Sequence, residues 1–317
     1  MDFNESHIAE IIALREQGES YPSISKHLAK KYKIHMDDRR IGEIVRQYAR
    51  APGARATNNS SQSQDNNLKL LAGGKLFKRI LILPDLHFPF ADWAGIHQAA
   101  AWAQTHKPDL VIQLGDFFDQ KAWSRFPKDV DDYSPQLEWD MAESDAKRMY
   151  KLFPNMQILV GNHDSRAMRK AAEVGLPQQM IKALDSMFGP AGGYKGWHWH
   201  LNSSEKLVVN TVGGPVLFLH GDELGGNAIQ ISRRLGMNVI MGHTHQHIIG
   251  STTTLKDSIY GMECGALMDG DSKGARYASR NPVGFAQGFG VIDNGVPYFI
   301  KKGLPPNSKV KKSITPP

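Results

Sequence analysis

The chain has 317 residues, 41% of them hydrophobic and 22% charged, which is an ordinary soluble composition and enough length for one large or two medium domains. No apolar run reaches the length of a membrane span, and Met1-Asp2-Phe3-Asn4-Glu5 lacks the basic-then-apolar order of a secretory signal. The one cysteine, Cys264, excludes an intrachain disulfide framework and suits a reducing cytoplasm, where it reads as a small buried residue; the net charge of +6 is modest.

Residues 1–50 predict three helices. Ile8, Ile11 and Ile12 form an apolar stripe, and Gly18 stands where the first helix stops. Ser23 is the expected cap of the second, with Ile24, Leu28 and Tyr32 on one face. Asp37 or Asp38 caps the third, which turns Ile41, Ile44, Val45 and Tyr48 inward. Short connections and a third helix bearing Arg39, Arg40, Arg46 and Arg50 resemble a helix-turn-helix module, which makes Arg39, Arg40 and Arg46 the expected DNA contacts. Eight acids against nine bases in these fifty residues leave a protein-docking or oligomerising bundle as the alternative.

Residues 51–76 are polar and of low complexity, the composition of a flexible linker. A large domain is expected over 77–302. In it, apolar strands at 79–83, 110–114, 157–160, 216–219 and 238–241 alternate with helices near 92–105 and 135–152, which implies a largely parallel sheet. Strands at 247–254, 258–263, 287–293 and 296–301 follow, and a second sheet packed on the first is the natural use for them. Over 303–317 the chain becomes a basic tail. Residues 301–317 carry five lysines and no acid, suited to nucleic-acid phosphates or merely to solvent.

Five segments place metal-ligand side chains where strands should end: Asp85-Leu86-His87, Gly115-Asp116-Phe117-Phe118-Asp119, Gly161-Asn162-His163-Asp164, His220-Gly221-Asp222 and Gly242-His243-Thr244-His245. Carboxylate and amide oxygens mixed with imidazoles suit transition ions rather than calcium. Asp85, His87, Asp116, Asn162, His220, His243 and His245 exceed what one ion takes, so two ions sharing a carboxylate are expected. Gly115, Gly161 and Gly242 let the backbone approach a crowded site. Asp119 and Asp222 read as outer partners of the ligands or as structural turn caps, and His97, His106, His198, His200 and His247 as non-ligands.

These blocks match the five signature motifs of the calcineurin-like metallophosphoesterase superfamily, which the chain resembles over about 78–302. The resemblance implies a four-layer α/β/β/α sandwich behind the small all-α module. By position, Asp85, His87 and His245 would bind one metal and Asn162, His220 and His243 the other, with Asp116 bridging. His163 would act on the phosphate, oriented by Asp164. Two divalent ions are implied, manganese first, with iron, zinc or magnesium as alternatives. The chemistry of such a pair is activation of water for attack on phosphorus.

Gln120-Lys121 stands where protein phosphatases of the superfamily carry Arg-Gly, and Asp164 where they carry Glu, which argues against that class. Asp85-Leu86-His87-Phe88-Pro89-Phe90 looks most like phosphoesterases of bacteriophages and prophages, placing the protein in a bacterial or phage-infected cytoplasm. After Asp119, Lys121, Trp123 and Arg125 interleave bases with aromatics that can grip phosphates and stack on nucleobases, and Arg166 can clamp a nonbridging oxygen. The expected function is a DNA nuclease or nickase recruited by the N-terminal module. The alternative is a phosphatase or nucleotide phosphodiesterase on small or protein substrates, with the bundle docking a protein partner or a second copy. Gly192-Gly193-Tyr194-Lys195-Gly196-Trp197-His198-Trp199-His200 reads as an insertion that rims the cleft or covers a sheet end.

Overall fold

The computed structural model describes residues 5–16, 19–32, 34–48, 68–71, 75–125, 128–201, 206–253, 258–280 and 285–303. The chain divides into two compact units, Met1–Ser63 and Gln64–Pro317.

The first unit contains α1 (Glu5–Glu16), α2 (Tyr21–Tyr32) and α3 (Asp38–Tyr48). Ile11, Ile24, Leu28 and Ile41 are fully buried, with Ile44 and Val45 beside them. Full burial of such a side chain contributes about 1.5–3 kcal/mol, so this small core is what holds the three helices. Glu10 ties α1 to α2 by accepting from His27 and Lys31, each at 2.7 Å, and from the Tyr32 hydroxyl. Asp37, of the two expected candidates, caps α3, its Oδ1 accepting from the Arg40 amide at 2.7 Å. The cap of α2 is Ser20 rather than Ser23, because the helix starts at Tyr21; Ser20 Oγ accepts from the Ser23 amide at 3.3 Å. The side chains of Ile12 and Tyr48, and all of Gly18 and Arg50, lie outside the described residues.

The second unit runs β1 (Leu68–Leu70), β2 (Arg79–Leu83), α4 (Trp93–His106), β3 (Leu110–Gln113), α5 (Pro135–Leu152), β4 (Asn155–Leu159), α6 (Arg166–Glu173), α7 (Leu184–Phe188), β5 (Gly196–His200), β6 (Lys206–Thr211), β7 (Gly214–Leu219), α8 (Ala228–Leu235), β8 (Asn238–Met241), β9 (His247–Thr253), β10 (Ser258–Cys264), β11 (Gly288–Asp293) and β12 (Val296–Lys301). They build two six-stranded sheets, ordered β12-β11-β2-β3-β4-β5 and β1-β6-β7-β8-β10-β9. Strands β2 to β5 are mutually parallel, as are β7, β8 and β10.

Four layers follow from the two faces of each strand. Ile80 and Ile82 of β2 point with Ile112 and Leu159 against Val209, Val216, Phe218 and Ile240 of the other sheet. Leu81 and Leu83 point the opposite way, onto Ile96 and Trp102 of α4 and Ala146 and Met149 of α5. On the far side, Leu217, Leu219 and Val239 meet Ala228 and Ile231 of α8. Because β2, β7 and β8 are covered on both faces, their sequences are continuous apolar runs, not alternating ones.

Three expectations change. Of the four late strands, only β9 and β10 enter the second sheet; β11 pairs antiparallel with β2 of the first. Phe289 and Val291 face the helices while Ile292 faces the other sheet, so β11 needs cover on both sides. The aromatic stretch over 192–200 is neither rim nor cover: Gly196–His200 is the edge strand β5, Trp197 is fully buried, and its indole N–H donates to the Phe153 carbonyl at 2.8 Å. Inside the expected linker, Leu68–Leu70 forms β1 and pairs in parallel with β6. The remainder of that linker up to 67, and 304–317 of the expected tail, lie outside the described residues.

Candidate metal centre

The five segments leave the carboxyl ends of β2, β3, β4, β7 and β8, where side chains from both sheets converge. Among the described residues, eight non-glycine positions have positive φ, and five of them are expected ligands: Asp85, His87, Asp116, His243 and His245, at 21°, 50°, 52°, 68° and 55°. Such backbone costs about 1–3 kcal/mol per residue and persists only where surrounding structure imposes it. Glycines make the close approach possible. A Cβ on Gly161 would lie 2.1 Å from Asp116 Oδ1, and one on Gly242 would lie 2.4 Å from Asp85 Oδ2.

The donor atoms face one another. His87 Nε2 is 3.0 Å from His245 Nε2, which lies 3.6 Å from Asp85 Oδ1. His220 Nε2 is 3.1 Å from Asn162 Oδ1 and 3.3 Å from His243 Nδ1. Asp116 Oδ2 stands between the two sets, 3.6 Å from His87 Nε2 and 3.3 Å from His220 Nε2. The structure thus brings all seven expected ligands together. Asp85, His87 and His245 form one group whose donors lie within 4.8 Å of one another, and Asp116, His220 and His243 form another. Each imidazole pair stands at hydrogen-bonding distance, and the same nitrogens could instead face a shared cation.

Electrostatics agree. Burial opposes charge on Asp85, Asp116 and Asp119, yet the surrounding histidines hold all three carboxyls below the usual range. Burial likewise works against a charged His220, but the Asp116 and Asp85 carboxylates push it up to about 10. The anionic cluster therefore draws a positive charge into itself. A divalent ion held there would supply that charge, and His220 would have to be neutral to ligate it. These mixed nitrogen and oxygen donors could hold divalent metal.

His163 is 7% exposed and borders this centre, its Nε2 3.9 Å from Asp116 Oδ2. Its orienting carboxylate is Asp119, not Asp164. Asp119 Oδ1 lies 2.8 Å from Nδ1 of both His163 and His87. Asp164 is committed elsewhere: its oxygens accept the amides of Phe117, Phe118 and Gly161 at 3.2, 2.8 and 2.9 Å, and it braces the second and third segments. Arg166 donates to the Asp119 carbonyl at 2.9 Å and reaches His163 Nε2 at 2.9 Å. Burial works against a charged His163, but the Asp116 and Asp119 carboxylates raise its pKa above the ordinary value.

The calcineurin-like phosphoesterase profile matches residues 78–247, more than half of the chain and all five segments. The chain belongs to the calcineurin-like phosphoesterase family. Two relatives, each called gene 54 protein, from Mycobacterium phages D29 and L5, are 23% and 24% identical over 241 and 245 residues, covering 68% of this chain and 88% of each of them. Among solved structures, Yfce, a phosphoesterase from E. coli, is 15% identical and covers 71% of this chain and 93% of its own, with a TM-score of 0.34. Vacuolar Protein Sorting 29 from Cryptosporidium parvum is 15% identical and covers 71% of this chain and 97% of its own, with a TM-score of 0.37.

This calcineurin-like phosphoesterase is a metal-dependent phosphoric ester hydrolase, and its buried Asp/His clusters provide for the family's divalent metals. The other expected residues divide. Lys121 is not aimed at the centre; its ammonium donates to Asp132 and to the Lys273 carbonyl. Trp123 is 43% exposed on a short turn, and Arg125 is exposed beside it. Arg39 and Arg40 are exposed on α3 in the other unit, and the Arg46 side chain lies outside the described residues. Asp222 is exposed, and His247 stacks on Phe299 away from the ligand clusters. Among the described residues no helix is long and apolar enough to cross a membrane.

Sequence reasoning left Asp119 as an outer partner or a structural residue and did not name the histidines it serves. Its spacing of three from Asp116 is also that of a turn cap, and only its repeated carboxylate in a ligand-bearing segment hinted at more.

Proposed function

We propose that this phosphoesterase hydrolyses phosphodiester bonds of DNA as a nuclease or nickase, with manganese in its two sites and its helical unit as the DNA-recruiting module. One combination supports the reading. The phosphoesterase unit carries a full ligand set, and a separate three-helix unit exposes Arg39 and Arg40 at the first turn of its third helix. That is the end of a helix-turn-helix recognition helix that meets base edges.

Asp85, His87 and His245 would hold one ion, and Asn162, His220 and His243 the other, with Asp116 common to both. The chemistry divalent ions supply in such a place is Lewis acidity toward a phosphoryl group and acidification of water. The chain's own residues do the remainder. Asp119 fixes the Nδ1 proton of His163 and leaves Nε2 facing the centre to hold or move a proton at the leaving oxygen. Arg166, which meets His163 Nε2 at the same edge, would give its guanidinium to a nonbridging phosphate oxygen. Trp123 and Arg125 offer an exposed stacking face and a cation beside it.

The test is a panel of supercoiled, linear and single-stranded DNA with manganese, magnesium and zinc. The expected result is manganese-dependent cleavage by the wild type and none by His87→Ala. Removing residues 1–63, which stops ahead of β1, is expected to raise KM for DNA while turnover of bis-p-nitrophenyl phosphate stays unchanged. Turnover of that small diester without cleavage of any DNA would sink the DNA reading and favour a small-molecule or protein substrate.

A further inference from the structure

One buried carboxylate near the metal centre lies beyond the five segments. Glu263, near the end of β10, is 1% exposed. Its Oε2 accepts from the Thr244 hydroxyl at 2.5 Å, and its Oε1 from the Ala228 amide at 3.1 Å, at the first residue of α8. Its backbone carbonyl faces His247 Nδ1 at 3.1 Å. Thr244 stands between His243 and His245, both in left-handed backbone. Ala228 ends the connection that begins at His220. One carboxylate therefore joins the two ligand-bearing connections that the second sheet sends to the centre.

The fold builds this contact deliberately. Gly261 lies two residues before Glu263 and so on the same face of β10. A Cβ on Gly261 would lie 2.3 Å from the backbone of Ala228, so the first turn of α8 rests directly on the strand. That closeness lets Glu263 reach the Ala228 amide, at the helix end that favours a negative charge. A carboxylate in such a place is costly to bury, and a polar or apolar residue would hold the same strand at lower cost.

We propose that Glu263 is a positioning residue of the metal centre. It acts through Thr244, holding His243 and His245 in their left-handed geometry and pinning them to the first turn of α8. It does not touch the ions or the substrate. Outer partners of this kind commonly change metal affinity by 10–100-fold when removed. The inference needs only a centre that binds divalent ions and is independent of the DNA reading.

The experiment is calorimetric titration of the full chain with Mn2+, alongside thermal unfolding in the presence of a chelator. Thr244→Val and Glu263→Ala are each expected to weaken Mn2+ binding about tenfold or more. Thr244→Ser, which keeps the hydroxyl, is expected to bind as the wild type does. The Thr244→Val/Glu263→Ala double variant is expected to bind no more weakly than Glu263→Ala alone, since both changes remove one interaction. The comparison of Thr244→Val with Thr244→Ser decides even if Glu263→Ala fails to fold. Wild-type Mn2+ affinity in Thr244→Val overturns the proposal. So does a lowered melting temperature in Glu263→Ala with unchanged affinity, or a double variant that loses the product of the two single effects.

Discussion

In the metal centre, Asp85, His87, Asp116 and Asp119 are each at most 1% exposed and face one another across the ends of strands. In the three-helix unit, among the described residues, Ile11, Ile24, Leu28 and Ile41 are fully buried and no Asp, Glu, Lys or Arg is. The first arrangement opposes folding: ionised groups are desolvated, and five ligand residues hold left-handed backbone. A divalent cation, which these buried Asp/His clusters could hold, would offset that cost. The second satisfies folding by itself, with an apolar core, a cap from Asp37 and the Glu10 cluster between helices. A region that costs stability discloses its chemistry, whereas a region content with its own packing leaves its partner to be found by experiment.

Breaking the first region should have the larger consequences. Asp116→Asn is expected to cost about 10³-fold or more in turnover of bis-p-nitrophenyl phosphate, with loss of bound Mn2+, because the carboxylate common to both ligand groups loses its charge. Near-normal turnover would remove Asp116 from the bridging place. His163→Ala comes next, with about 10²–10⁴-fold lower turnover and unchanged metal content by elemental analysis. Wild-type turnover in that variant takes His163 out of the reaction.

Asp119→Asn sharpens the comparison inside the centre. It is expected to cost about 10–100-fold in metal affinity, since its carboxylate holds Nδ1 of His87 as well as of His163. Asp164→Asn is expected to lower the melting temperature with little change in turnover per folded molecule, because Asp164 braces backbone amides. Equal affinity losses for the two would erase the distinction drawn between them.

Ile24→Ala tests the helical unit. A cavity in so small a core should cost about 2–5 kcal/mol and lower the helical circular-dichroism signal, while hydrolysis of the small diester is unchanged. The smallest effect concerns pH. Lys31 and Tyr32, with His27, hold the Glu10 carboxyl down to about 2, below its ordinary 4.5. A depressed carboxyl stabilises the folded unit fully above 4.5, and that contribution is lost as pH falls from 4.5 through 2. An acid titration of helicity should therefore show a component in this window that Glu10→Gln removes.

Much of the phosphoesterase unit was legible along the chain. β2, β3, β7 and β8 announce themselves as short apolar runs, and each ends at a segment of ligand residues. Gly161 and Gly242 were legible for the same reason, since only glycine admits the carboxylates that crowd them. Sheet membership was not. β11 reads as one more late strand, and only the two apolar clusters that need its faces draw it beside β2.

The sequence by itself determined the chemistry: the types of ligand, their order and their placement at strand ends. Tertiary structure alone decided which carboxylate serves which histidine. Asp119 reaches His87 and His163 across 32 and 44 residues, and Asp164, adjacent to His163, turns away to backbone amides. Spacing along the chain sets what a strand end can offer. The packing of two sheets sets which side chains meet there, because a hydrogen bond depends on distance in space and not on nearness in sequence.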